Sequence, residues 1–204
     1  EYYTNLRRII EASTTLLKND NNLIPLKRLD TLNIASVALG VGSINSFQKT
    51  ASLYKSIDLF NIPSLTAIAE RQKLSTYLSK YNLIIFSIHN TNERPSRNFG
   101  IEKESIAFIE EIAKTKNVII SLHGNPYALN TFTNLSNIEG VVVMYADNEL
   151  TGDYAAQAIF GGIPVSGTLP VSTKFFEAGQ GIKIKNKNFI IDLISQCCNP
   201  ISIF

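Results

Sequence analysis

Five apolar runs, at 32–39, 56–61, 82–88, 117–122 and 140–145, are separated by stretches of helical periodicity near 45–53, 64–80, 102–116, 125–134 and 149–160. Strands covered by helices on both faces read as nearly continuous apolar runs, whereas a half-solvated strand alternates. The β-α-β-α order therefore predicts an α/β fold: a doubly wound, mostly parallel sheet with helices on both faces, a three-layer αβα arrangement of the flavodoxin-like kind. Within 102–116, Ile106, Ile109, Ile112 and Ala113 form one stripe, and Glu104, Glu110, Glu111 and Lys114 occupy the opposite side. The spacing predicts a core along that stripe.

Composition narrows what such a sheet is for. The 204 residues carry a formal net charge of +2, and no Lys/Arg stripe gives an electrostatic case for nucleic acid. The apolar runs are strand-sized, so no membrane span is expected. The chain opens "EYYTNLRRIIEASTTLL", an amphipathic helix rather than a signal peptide, which suggests a piece of a longer polypeptide. Residues 1–30 read as a leading helix and linker, 31–185 as the α/β domain, and 186–204 as an atypical tail. That tail, "NKNFIIDLISQCCNPISIF", is apolar and holds both cysteines, Cys197 and Cys198. It suits either an extra element covering a sheet edge or a non-native terminus, and adjacent cysteines imply no disulfide framework.

In open α/β sheets, sites sit at the carboxyl ends of the strands. Both histidines, His89 and His123, fall at such ends on consecutive strands. Each either merely caps its strand or shares a polar edge that faces a ligand or partner domain. The loop "NERPSRN", with Arg94 and Arg97, is longer than a connector requires. Complete catalytic sets are missing. Gly40-x-Gly42 lacks the third glycine of a dinucleotide fingerprint, and no acidic residue closes the second strand. There is no G-x-S-x-G elbow, and two histidines with a vicinal cysteine pair give no metal-ligand spacing. No cofactor and no metal are expected.

Three further stretches occur in order: "LLKNDNNLIPL" at 16–26, "GNPYAL" at 124–129 and "FGGIPVSGTLPV" at 160–171. Together they resemble the second, C-terminal domain of glycoside hydrolase family 3. The resemblance implies a β-glycosidase whose sugar site lies where an amino-terminal (β/α)8 barrel, absent from this sequence, meets the sheet domain. The family's nucleophilic aspartate belongs to that barrel. In the glucosidase branch a glutamate of the second domain is the general acid, and Glu93 lies near that position without the surrounding motif. In the N-acetylglucosaminidase branch an Asp–His pair of the barrel does this work, and "IHNTNERPSRNFG" looks more like that branch. Glu93 is then a surface loop residue, and this chain carries no catalytic residue. His89, Asn90, Arg94, Arg97, His123, Asn125 and Tyr127 are the implied substrate-binding or domain-interface residues. A carbohydrate substrate, a bacterial source and a periplasmic or secreted location follow from the same resemblance. The alternative is a self-contained flavodoxin-like module binding a ligand such as a nucleotide.

Overall fold

The structure, a computed structural model, describes residues 2–185. Its elements are α1 (Tyr2–Ser13), β1 (Thr15–Asn19), β2 (Ile34–Leu39), α2 (Ser46–Tyr54), β3 (Asp58–Ile62), α3 (Ile68–Leu78), β4 (Leu83–Ile88), α4 (Lys103–Ala113), β5 (Asn117–His123), β6 (Gly140–Met144) and α5 (Glu149–Phe160). They build a six-stranded sheet in the order β1-β6-β5-β4-β2-β3. All pairings are parallel except β1 with β6. Leaving β1 aside, the parallel strands follow the flavodoxin-type order, so the winding direction reverses between β2 and β4. This is the doubly wound architecture that the apolar runs predict.

Every residue of β2, β4 and β6 is buried, as are all but the first of β5. Side chains alternate between two cores. Phe86, Ile120 and Val141 of the sheet pack with Ile109 of α4 in one, and Ile85, Ile119 and Val142 pack with Phe47 of α2 and Ala156 of α5 in the other. The α4 stripe is buried as its periodicity requires, with Phe108 added to it.

Three elements differ from the sequence reading. Residues 15–19, read as part of a leading helix and linker, are an antiparallel edge strand, because Thr15 and Leu16 pair with Val143 and Val142 far along the chain. The stretch 125–134 is a single 3₁₀ segment, Pro126–Thr131, rather than an α-helix. Pro126 fixes the start, but the segment is too short to bury an amphipathic face. The helix expected from residue 64 begins at Ile68, with Ala67 extended immediately before it. The tail 186–204, with its two cysteines, lies outside the described residues.

Helices α2 and α5 pack against each other with little between them. A β-carbon at Gly152 would overlap the Ser46 hydroxyl and approach the Phe47 nitrogen to 2.8 Å. Ala155, Ala156 and Ala158 are buried on the same helix. Gly161, with φ 83°, then closes α5 in the left-handed conformation that glycine adopts without a side-chain clash.

Candidate functional site at the carboxyl edge of the sheet

Parallel pairing of Ile88 with Leu122 brings the next residues, His89 and His123, side by side. Their rings stack 4.5 Å apart at 15°. Neither lies open on the edge: His89 is 6% exposed and His123 fully buried, with Phe47 of α2 against the His123 ring. Asp147, in the turn between β6 and α5, accepts from His89 Nδ1 at 2.8 Å and from the Asn90 backbone N–H at 2.8 Å. One carboxylate thus joins the ends of β4 and β6 across β5.

The amide of Asn45 fixes the state of this cluster. Its Oδ1 caps α2 by accepting from the Gln48 N–H at 2.9 Å, so its Nδ2 is the atom 2.9 Å from His89 Nε2. An amide nitrogen can only donate, so Nε2 accepts and Nδ1 carries the proton given to Asp147. His123 Nε2 lies 3.1 Å from the Ser121 hydroxyl, and its Nδ1 has no partner. Burial, then the adjoining His89 ring, push His123 down to about 3, against a pull from Asp147. Burial by itself would raise the Asp147 carboxyl, but the hydrogen bonds from His89 and Asn90 hold it below the usual carboxylate range.

His89, His123 and Asp147 also place one ligand-type atom each within 4.8 Å of one another. Imidazole lone pairs lie in the ring plane, and two rings stacked nearly parallel do not aim them at one point. With His89 Nδ1 already committed to Asp147, the trio stands as a hydrogen-bonded cluster rather than a coordination set.

In front of this cluster lies an open cleft of about 980 Å³. Thr91, Asn92, Glu93, Pro95 and Phe99 from the β4–α4 loop form one wall, and Gly124, Asn125, Pro126, Tyr127 and Asn130 after β5 form the other. The Thr91 hydroxyl ties the walls together, donating to the His123 carbonyl at 2.9 Å and accepting from Asn125 N–H at 3.0 Å. The approach is so close that a β-carbon at Gly124 would collide with that hydroxyl, and Gly124 itself has φ 105°. Asn125 braces the second wall: its side chain accepts from Tyr127 N–H at 2.9 Å and donates to the Asn92 carbonyl at 3.3 Å. Phe99 and Tyr127 stack across the cleft, 6.5 Å apart at 21°.

Of the residues singled out in the sequence, Glu93, Asn125 and Tyr127 line the cleft, and His89 and His123 support it from behind. Asn90 is exposed, with φ 56°, and holds the Gly40 carbonyl through its side chain at 2.5 Å. Arg94 and Arg97 are exposed on the same loop but are not among the lining residues. Sequence reasoning missed Asp147, Thr91, Phe99 and Asn45. The acidic residue in "YADNE" after the last strand was a signal for Asp147. Asn45 was visible only as the residue standing where a dinucleotide loop needs glycine.

The family model for the glycosyl hydrolase family 3 C-terminal domain matches residues 14–188. Among solved structures, the chain resembles a glycoside hydrolase family 3 β-N-acetylglucosaminidase from Paenibacillus sp. str. FPU-7, with a TM-score of 0.64 and 19% identity over 82% of this chain and 32% of that one. It also resembles a fungal multi-domain family 3 β-N-acetylglucosaminidase, at a TM-score of 0.63 and 18% identity over 90% of this chain and 20% of that one. A β-glucoside phosphorylase gives a TM-score of 0.61 at 14% identity over 84% and 31% of the two chains. At these identities the likeness is one of fold. The chain spans about a fifth to a third of the length of these enzymes. No curated protein matches it.

Proposed function

Because the chain belongs to the glycosyl hydrolase family 3 C-terminal domain family, we propose that it is the accessory second domain of a β-glycosidase of the β-N-acetylglucosaminidase-like branch. In this reading the carboxyl edge of the sheet docks on an amino-terminal (β/α)8 barrel and forms one wall of a carbohydrate site. The observation that carries it is the family match over residues 14–188, and the cleft at the strand ends supports the choice of edge. Asn125 and Tyr127 would border the sugar, Asn90, Arg94 and Arg97 would face the barrel, and His89 and His123 would hold the loops in register.

Retaining hydrolysis needs a carboxylate nucleophile and a general acid about 5 Å apart. Among the described residues Glu93 is the only carboxylate in the cleft lining, and one carboxylate does not make the pair. Both groups are assigned to the barrel, and Glu93 to a role in binding.

The test is a Glu93→Gln substitution in the polypeptide that also carries the barrel, assayed on an aryl β-N-acetylglucosaminide and an aryl β-glucoside. The expected result is a change in kcat of less than about tenfold and a preference for the N-acetylated substrate, since loss of a general acid costs about 10²–10⁴. Loss of turnover on that scale would make Glu93 the acid and place the enzyme in the glucosidase branch.

The nucleotide-module reading finds less support. The loop at Gly40–Gly42 leads into α2, whose first turn is already capped by Asn45 and Gln48. Two of the N–H groups there, those of Asn45 and Gln48, are therefore taken by side chains where a phosphate would sit.

A further inference from the structure

We propose that Asn45, which is not among the cleft lining, is a positioning residue for the cleft: through His89 and Asp147 its side-chain amide sets where the β4–α4 wall stands. The inference rests on the carbohydrate reading above only for its effect on turnover. It goes beyond that reading by giving the β2–α2 loop control over a wall built elsewhere.

Three observations carry it. The first is a closed ring of hydrogen bonds. Asn45 Nδ2 donates to His89 Nε2 at 2.9 Å, His89 Nδ1 donates to Asp147 Oδ1 at 2.8 Å, and Asp147 Oδ2 accepts from the Asn90 N–H at 2.8 Å. The Asn90 side chain donates to the Gly40 carbonyl at 2.5 Å, which returns the ring to the loop that holds Asn45. The loops after β2, β4 and β6 are thus tied together. Thr91, next along from Asn90, joins the two walls of the cleft, so a shift at Asn90 reaches both.

The second is direction. Backbone and amide N–H groups only donate, and carbonyl and ionised carboxylate oxygens only accept, so imidazole is the one member of the ring that could do either. Asn45 decides for it. The amide cannot turn over, because Oδ1 caps α2 by accepting from the Gln48 N–H at 2.9 Å, and Gln48 Oε1 in turn accepts from the Asn45 N–H at 3.4 Å. Turning the His89 ring over would set carbon atoms against both of its partners.

The third is the lack of slack. A β-carbon at Gly40 would stand 2.8 Å from the His89 carbonyl oxygen. His89 is nearly buried, with the His123 ring stacked against it. Asn90 has φ 56°, a left-handed conformation that persists in residues other than glycine where the surroundings enforce it, and here the bonds to Asp147 and Gly40 do so. A buried polar group left without a partner is costly, so a bond lost at Asn45 is made good by movement of the ring, and Asn90 moves with it.

The experiment compares Asn45→Ser and Asn45→Asp with the wild type. Serine and aspartate cap a helix about as well as asparagine, so α2 keeps its cap in both. Serine is too short to reach His89 and leaves Nε2 without its donor, whereas aspartate reverses the bond and calls for a second proton on the ring. Nitrogen shifts of the imidazole and amide shifts of Asn90, Thr91 and Asn92 are read on the full 204-residue chain at pH 7. The expected result is His89 protonated on Nδ1 alone in the wild type and on both nitrogens in Asn45→Asp. The three amides should move in both variants at an unchanged urea midpoint, and stay in place in Lys49→Ala, at an exposed residue of the same helix. In the polypeptide that carries the barrel, both Asn45 variants should raise KM for an aryl β-N-acetylglucosaminide by roughly tenfold while kcat stays within about threefold. Unmoved amides in Asn45→Ser, or a wild-type His89 protonated on Nε2, overturn the positioning role. A midpoint that falls alike in both variants with no change at the imidazole makes Asn45 a helix cap and nothing more. Moved amides with unchanged kinetic constants overturn the effect on the cleft. Moved amides in a polypeptide that hydrolyses no glycoside uphold the ring and overturn the carbohydrate reading instead.

Discussion

At the scale of single residues, one amide organises the candidate site. Asn45 caps a helix with its oxygen, so its nitrogen must face His89, and this sends the His89 proton to Asp147. His123, stacked behind, remains neutral because burial opposes its charge. That gives a signed pH dependence. In the unfolded chain His123 takes up a proton near 6.5, but in the folded chain only near 3. Between these values the unfolded state binds one more proton, so stability is fully present above pH 6.5 and falls as the pH drops, by at most about 1.4 kcal/mol per unit. Asp147 acts in the same direction at lower pH, since its carboxyl is also held down in the fold. Urea midpoints from pH 7 to 4 should decline steeply, and His123→Gln should flatten the slope whatever it does to the midpoint itself. A flat wild-type profile would mean that His123 titrates normally. Both histidines were legible in the sequence as strand-end residues, because alternation of strands and helices fixes which edge they reach. Their burial was not legible. It depends on α2 lying across them, and a sequence position says nothing of what packs above it.

At the scale of elements, the first and third of the stretches that carry the family likeness hold parts of the fold together. In the first, Lys18 donates to the carbonyls of Leu135 and Ser136 and pairs with Asp20, and the Asn19 side chain brackets both the N–H and the carbonyl of Ile24. In the third, Phe160 stacks on Tyr54 at 5.0 Å before Gly161 ends the helix. Between them, α5 needs small residues because it meets both the sheet and α2. Replacing the fully buried Ala156 with Leu should lower stability by about 1–3 kcal/mol, the usual cost of forcing extra methylenes into a packed contact, and a denaturation midpoint would record it. An unchanged midpoint would mean that α5 can move off the sheet. The long, fully buried strands and the amphipathic α4 were readable from periodicity. Strand β1 was not, because five residues following a helix carry no periodic signal of their own and pair only with a distant strand.

At the scale of the molecule, the sheet order puts the ends of β4, β5 and β6 side by side, and the cleft opens there between loops that the Thr91 hydroxyl joins. Everything proposed for the function is built on that edge: a wall of amides and aromatic rings with one carboxylate, set to face a barrel that supplies the chemistry. The most direct measurement is the rate of hydrolysis of an aryl β-N-acetylglucosaminide by three proteins at equal concentration: this chain alone, the polypeptide that carries it behind a barrel, and that polypeptide cut before Thr14. The expected result is no turnover by the chain alone, turnover by the intact polypeptide, and a large loss when the domain is removed. Turnover by the chain alone, or an undiminished rate without it, would overturn the assignment of this chain as an accessory domain.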